Sequence, residues 1–307
     1  MIVCCGEALI DMLPRETPAG EPAFAPHAGG AVFNSAIALG RLGAPVEFFS
    51  GLSSDMFGDL LGRVLAESHV GLRYAVRSPR PTTLAFVRLK DGHATYVFYD
   101  ENTAGRMLAE TELPSFGENV SAMLFGAISL IAEPCGSAYE ALMRREHAAR
   151  VTMLDPNIRP GFIRDRERHR ARMMRMMAMA DIVKLSDEDL TWFGETGSPA
   201  EVAARWIARG PKLVIVTRGA EGATGYTARF SVRVAPPRVT VVDTVGAGDT
   251  FNGGVLASLH EQGVLAKDKV AGLDEQAVEA ALTLGAKAAA ITVSRAGANP
   301  PWRHEIA

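Results

Sequence analysis

The sequence predicts an α/β fold, with a mostly parallel sheet covered by helices on both faces and a small antiparallel sheet inserted in its first third. Three observations carry this. Short apolar runs alternate with helical patterns along the chain, as in parallel sheets whose crossovers are helices. Asp11, Asp155, Asn157, Ser186 and Arg218 each follow such a run, and ligands of open α/β sheets bind at the carboxyl ends of strands. A chain of 307 residues with 48% hydrophobic content is ample for a buried core.

Taken in order, Ile2 to Ile10 reads as the first buried strand, with Asp11 at its end. Val46 to Ser50, Ser121 to Phe125, Val151 to Leu154, Ile182 to Leu185 and Leu213 to Val216 read as further buried strands, with helices between them. Thr82 to Leu89 and Thr95 to Tyr99 break the rhythm. They are β-rich and joined by Lys90-Asp91-Gly92-His93, a hairpin signal. Gly126 to Cys135 and Gly194 to Pro199 read as loops, Val239 to Val242 as extended chain and Phe251 to His260 as an apolar-rich helix. No internal repeat or low-complexity linker divides the chain.

Composition removes several functions. A formal charge of −3 gives no general basic field, and the arginines between Arg164 and Arg175 are interleaved with acids and methionines as on a solvated helix face. Nucleic acid is therefore not an expected partner. Cys4, Cys5 and Cys135 form no CxxC spacing, and Cys4 and Cys5, as neighbours on a strand, point to opposite faces. They read as buried thiols of a cytoplasmic protein. Glu7 and Asp11 interrupt what a secretory signal would need, and the longest apolar stretch, Val120 to Ala132, is too short to span a bilayer. No HExxH or GxSxG motif occurs. Met173, Met174, Met176, Met177 and Met179 read as core filler, Trp192 and Trp206 as packing residues, and the seven histidines as surface or capping groups without ligand spacing.

The most informative stretch is Asp243-Thr244-Val245-Gly246-Ala247-Gly248-Asp249-Thr250-Phe251. Glycines before a helix let an anion approach unpaired backbone N–H groups, and Asp249 brings a carboxylate to the same place. It is not a dinucleotide fingerprint, since Phe251 stands where the third glycine belongs. Nor is it Walker A, because no lysine follows a glycine. An anion cradle beside a general base suits phosphoryl transfer.

This stretch resembles the C-terminal signature of the ribokinase-like (PfkB) carbohydrate kinases. Gly29-Gly30-Ala31-Val32-Phe33-Asn34, running into Ala36 to Gly43, resembles that family's sugar-side motif, so the similarity spans nearly the whole chain. The resemblance implies one ribokinase-like domain over 1–307, a three-layer α/β/α core with a small β-sheet lid inserted from about 12–27 and 82–104, and a nucleotide-binding part over about 182–307. It implies Asp249 as the base, with Gly246, Ala247 and Gly248 as the anion hole. Asp11, Gly30, Ala31, Asn34, Phe98 and Arg159 would hold the sugar. ATP would meet Lys184, Ser186, Thr217, Gly219, Gly222 and Gly248, with Ala286 to Ala289 and Ser294 to Asn299 on the adenine side. Ala286 departs from the asparagine that ribokinases often carry.

Two further departures concern metal. Ser186 and Asp189 stand at the Asn and Glu places of the family's N-x-x-E motif, so Mg²⁺ is expected through water at Asp189 or its neighbour Glu188. Asp243, Val245 and main-chain oxygens of the 294–299 loop are the expected K⁺ ligands. Asp155-Pro156-Asn157-Ile158-Arg159-Pro160 and Phe98 to Ala104 look most like bacterial fructokinases. Kinases of 2-keto-3-deoxygluconate share the D-x-N-x-R pattern but typically carry Tyr-Tyr-Arg where this chain has Phe98-Tyr99-Asp100. Acids at a carboxylate-receiving place favour a neutral ketose, and the resemblance implies fructose phosphorylated at its 6-position. An acid-sugar kinase using Arg106, a ribose- or nucleoside-type kinase and a non-catalytic sugar- or nucleotide-binding regulator are the alternatives. An exposed apolar lid face, such as Phe86 and Phe98, would permit a homodimer.

Overall fold

The computed structural model describes residues 1–90 and 93–306. The Asp91-Gly92 tip of the expected hairpin lies outside the described residues.

The first apolar run divides in two. Strand β1 (Ile2–Cys5) stops before Gly6, and β2 (Leu9–Glu16) belongs to a different sheet. The expected single strand from Ile2 to Ile10 is thereby corrected. A side chain at Gly6 would come within 2.4 Å of Val32, so the chain turns there, and Glu7 accepts from the N–H groups of Ala31 at 2.9 Å and Ser129 at 3.2 Å. Asp11 consequently lies inside the small sheet and not at the end of a core strand.

β3 (Pro22–Gly29) runs back antiparallel to β2 and leads into α1 (Ala31–Arg41). There follow β4 (Val46–Phe49), β5 (Gly51–Ser53), α2 (Met56–Glu67), β6 (Val70–Gly71), β7 (Val76–Ser78), β8 (Leu84–Lys90) and β9 (His93–Tyr99). The alternation resumes with β10 (Ala122–Gly126), α3 (Cys135–Glu146), β11 (Val151–Asp155), α4 (Arg166–Met179) and β12 (Ile182–Ser186). α5 (Asp187–Phe193), α6 (Pro199–Ile207), β13 (Leu213–Thr217), β14 (Ala223–Tyr226), β15 (Ser231–Val234), α7 (Ala247–Glu261) and α8 (Glu275–Val293) complete it.

The large sheet has nine strands in the order β15-β14-β13-β12-β11-β10-β1-β4-β6. It is parallel from β6 to β13 and antiparallel at β14 and β15. Its strands read as uninterrupted apolar runs because helices cover both faces. Cys4 and Cys5 are both fully buried, in the core clusters on opposite faces. The small sheet has the order β3-β2-β8-β9 and is mixed, since β2 and β8 run parallel. The chain leaves after β3, builds α1 to β7 in the core, and re-enters beside β2.

Asp55 fixes that return. Its carboxylate caps α2 through the N–H groups of Phe57 and Gly58 and accepts from the N–H and hydroxyl of Thr82 at 2.8 and 2.7 Å. A helix start and the entry to β8 therefore share one side chain.

Three further expectations change. Val239 to Val242 is irregular and exposed. It pairs with no strand because the N–H groups of Val242 and Asp243 donate to the Val293 carbonyl at the end of α8. His169 is buried in α4 against Trp192, contrary to a surface assignment. Arg172 on the same helix is also buried, and its charge is met by Glu133 and Glu140. The methionines behave as expected, with Met173, Met176 and Met177 in the core.

Candidate active site

Asp155, Ser186 and Thr217 end successive parallel strands, β11, β12 and β13, and α7 begins beside them. Gly246 precedes α7 with a positive φ of 76°, and a side chain there would come within 2.6 Å of Ala298. Only glycine meets both demands. The N–H of Ala247 turns back to the Thr244 carbonyl at 3.3 Å. Among the described residues no hydrogen bond takes the N–H of Gly246, Gly248 or Asp249, which leaves donors at a helix N-terminus for an anion. The loop is held by Asp243, which accepts from Val245 at 3.0 Å and from Gly297 at 2.9 Å.

Asp249, in the first turn of α7, is where the N-terminal and C-terminal motifs meet. Asn34 on α1 donates to Oδ2 at 2.9 Å, Asn157 reaches Oδ1 at 3.5 Å, and the Ser35 hydroxyl donates to the Asp249 carbonyl at 3.0 Å. Burial pushes the Asp249 carboxyl up to about 7, with Asp155 and Glu7 adding repulsion while Asn34 and Lys184 oppose the rise. A base poised near neutrality is suited to taking a proton.

Beneath it lies a polar floor that the sequence reading assembled only in part. Lys184, on β12, donates to Asp155 at 3.2 Å, and Asn252, one turn after Asp249, donates to the same Asp155 oxygen at 2.6 Å. Lys184 is buried, and its ammonium is 3.1 Å from where a Gly248 side chain would start. The anion cradle thus has a cation directly behind it. The void among Asp155, Asn157, Asp249 and Asn252 holds about 10 Å³, roughly one water. Asn252 and Glu7 were not among the expected site residues, and Asn157 was expected at a strand end without a role of its own. Asn157 had a signal in its place two residues after a strand-end aspartate, and Asn252 in its i, i+3 spacing from Asp249.

The sugar-side residues form a second group. The Asp11 carboxylate makes no hydrogen bond among the described residues, and it lies against Gly29, where a side chain would come within 2.4 Å of it. Burial raises its pKa to about 6. Gly30 adopts φ 112° and would clash with the Glu7 carbonyl at 2.8 Å if it carried a side chain, while Ala31 is held by Glu7. Phe98 packs edge-on against Phe162 at 4.5 Å, and Arg159 is exposed, donating to the Ile158 carbonyl at 3.0 Å. Arg106 is committed to Asp100 at 2.9 Å.

The remaining nucleotide-side residues separate by geometry. Thr217 donates to the Leu185 carbonyl at 3.3 Å, Gly219 is exposed at φ 48°, and Gly222 is buried, its missing side chain making room for the Val234 carbonyl at 2.0 Å. Asp189 accepts from both the N–H and the hydroxyl of Ser186 at 2.7 and 2.8 Å and from the N–H of Ile158 at 2.8 Å. It is a buried reciprocal cap for α5. Glu188 beside it is exposed. Among the described residues no group of three His, Cys, Asp or Glu side chains forms a metal cluster, and no helix is long and apolar enough to cross a membrane.

Comparison with known proteins agrees with this arrangement. Residues 1–305 match the pfkB family carbohydrate kinase pattern. The chain is 59% identical over 278 residues to a fructokinase of Rhizobium leguminosarum bv. trifolii, covering 91% of this chain and 85% of that one. It is 35% identical to the probable fructokinase-6, chloroplastic, of Arabidopsis thaliana, covering 97% and 79% respectively. A fructokinase from Xylella fastidiosa with bound ATP superposes with a TM-score of 0.87 at 33% identity, covering 97% of this chain and 93% of that one. A fructokinase from Vibrio cholerae O395 in fructose, ADP and calcium ion bound form gives 0.83 at 27% identity, covering 97% and 94%. With the pattern match running from residue 1 to 305 and the fold shared with these kinases, the protein belongs to the pfkB family of carbohydrate kinases.

Proposed function

We propose that the protein is an ATP-dependent fructokinase that makes fructose 6-phosphate. One observation carries this above the others: Asp249, raised to about 7 and held by Asn34, lies at the same helix start as the unpaired N–H groups of Gly246 and Gly248. In the forward step the hydroxyl proton passes to an Asp249 oxygen as the sugar oxygen bonds to the γ-phosphorus, and the bond to the β-phosphate oxygen breaks to release ADP. Charge developing on the transferred group is met by the N–H groups and by Lys184 behind Gly248. Asp11 accepts hydrogen bonds from sugar hydroxyls, with Gly30, Ala31, Asn34, Phe98 and Arg159 around it.

ATP lies along Ser186, Thr217, Gly219 and Gly222 toward the 294–299 loop in this reading. Bound Mg²⁺ supplies charge neutralisation for the phosphates. The exposed Glu188 fits that ion through water, whereas Asp189 has its oxygens occupied by backbone and hydroxyl donors. For K⁺, the Val245 carbonyl would be an oxygen donor, with Asp243, whose two carboxylate oxygens accept from Val245 and Gly297, holding the loop in place.

Fructose is preferred to an acid sugar because the lid cation is neutralised: Arg106 is paired with Asp100, so a substrate carboxylate would have to displace a carboxylate already in place. The fructokinase names of the similar proteins point the same way. The protein is further read as cytoplasmic, and as a homodimer through the outer face of the small sheet. There Phe24, Phe86 and Tyr99 form an aromatic row, with Phe24 and Tyr99 47% and 61% exposed, whereas Phe98, expected on that face, packs against Phe162 on the opposite one. Purified wild type and Asp249→Asn, assayed for ADP with fructose and ATP, test the central reading. Turnover in the wild type alone supports it; sugar and ATP binding without ADP from either protein would make it a binding protein.

A further inference from the structure

The start of α1 needs a cap that its own sequence does not provide. Gly30 precedes the helix at φ 112° and forms no side-chain cap, and a side chain there would come within 2.8 Å of the Glu7 carbonyl. The residues that usually cap a helix are therefore excluded at that position. The cap comes from outside. In the turn between β1 and β2, the Glu7 carboxylate accepts from the N–H of Ala31, the first residue of α1, at 2.9 Å. Its other oxygen accepts from the N–H of Ser129, after β10, at 3.2 Å. Glu7 is buried and joins no ion pair among the described residues, so the positive end of the α1 dipole and these N–H groups offset its charge.

One turn into α1, Asn34 donates its side-chain amide to Asp249 Oδ2 at 2.9 Å and its own N–H to the Gly30 carbonyl at 2.8 Å. The amide is thus placed from the same turn that Glu7 holds. Gly6, next to Glu7, lies so close to Val32 of α1 that a side chain would come within 2.4 Å of it. Charged groups act on Asp249 from three places: Asp155 on β11, Lys184 on β12 and Glu7. From the helices packed on α7, α1 brings Asn34 and the Ser35 hydroxyl, and α8 brings the Thr292 hydroxyl to Thr250. The Asn34 bond favours the ionised Asp249 and the Glu7 charge disfavours it, the bond being the larger of the two.

We propose that Glu7 is a positioning residue for phosphoryl transfer: by capping α1 from outside the helix, it holds Asn34 against Asp249. The assignment rests on the reading of Asp249 as the base, and Glu7 acts on the reaction through α1.

Heteronuclear NMR of the full-length protein carrying isotope-labelled asparagine, together with ADP release from fructose and ATP across pH, tests it. The Asn34 amide signal, identified by its loss in Asn34→Ala, is expected to shift as pH passes about 7 in the wild type and not in Asp249→Asn. In Glu7→Ala it no longer follows that titration, and kcat falls about 10–100-fold. The acid limb of kcat moves to higher pH, since the lost Asn34 bond outweighs the lost repulsion. Glu7→Gln, whose amide oxygen still accepts from Ala31, restores the signal and most of the rate, and its acid limb does not move upward. Glu7→Asp keeps the charge but draws the oxygen back, and matches Glu7→Ala; it carries the test if the alanine variant does not fold. Added to Asn34→Ala, Glu7→Ala costs less than about a further twofold in kcat, because both act through the same contact. An Asn34 signal that still follows Asp249 in Glu7→Ala or Glu7→Asp, or losses that multiply in the double variant, overturn the proposal. Wild type without ADP release overturns the kinase reading, while the Asn34 signal still decides the role of Glu7.

Discussion

In the proposed reaction Asp249 is buried and yet has to ionise, and the two demands set measurable limits. Its carboxyl is raised from 3.8 to about 7, so kcat is expected to rise with pH through that value and to fall about tenfold per unit on the acid side. Asp249→Asn keeps the hydrogen bond with Asn34 but cannot take the proton. A loss of about 10²–10⁴ in kcat is expected, with calorimetric affinities for ATP and fructose within about threefold. The same group lowers stability. Because its folded pKa is raised, the native state binds a proton that the unfolded chain has released, so its contribution falls as pH rises from about 4 to about 7. Asp249→Asn should therefore raise the melting temperature, and by more at pH 8 than at pH 5. Asp11 shows the corresponding effect in binding. In the proposed complex sugar hydroxyls donate to its ionised form, so protonation competes with sugar, and KM for fructose is expected to climb as pH drops through about 6 while KM for ATP stays level.

At the scale of elements, α1 joins the two halves of the site. Gly30 and Asn34 at its start lie against Glu7 and Asp249, and Arg41 in its last turn donates to Asn299 and the Pro300 carbonyl, both at 2.7 Å. The small sheet is pinned more simply, by Asp55. Asp55→Ala removes a helix cap and two bonds to Thr82, so a loss of about 1–2 kcal/mol is expected by urea unfolding. KM for fructose should rise more than KM for ATP, because the freed strand carries Phe98's neighbour β8. Periodicity was sufficient for β4, β10, β11, β12 and β13, whose apolar runs are buried on both faces. The glycine turn and Asp249 were equally legible, since φ at Gly246 and the crowding by Ala298 leave no alternative residue. Where tertiary packing decides, local pattern did not suffice. Ile2 to Ile10 is one apolar run, but contact with Val32 at Gly6 breaks it. Val239 to Val242 has β-branched residues, but the end of α8 takes its N–H groups. His169 and Arg172 look like surface residues in a charged helix, and only the packing of α4 against α3 and Trp192 buries them.

For the whole molecule, the small sheet and the parallel core each supply part of the proposed reaction centre. Asp11 and Phe98 come from the former, and Asp249, Lys184 and the α7 cradle from the latter. In the proposed reaction the Asp100–Arg106 pair selects the acceptor. Asp100→Ala should free Arg106 and improve kcat/KM for 2-keto-3-deoxygluconate by about tenfold relative to fructose, read in paired ADP assays. The central claim, a neutral ketohexose phosphorylated through Asp249, is tested most directly by coupled ADP release from wild-type protein across fructose, ribose, adenosine and 2-keto-3-deoxygluconate. The account predicts the highest kcat/KM for fructose, and a preference for the acid sugar would contradict it.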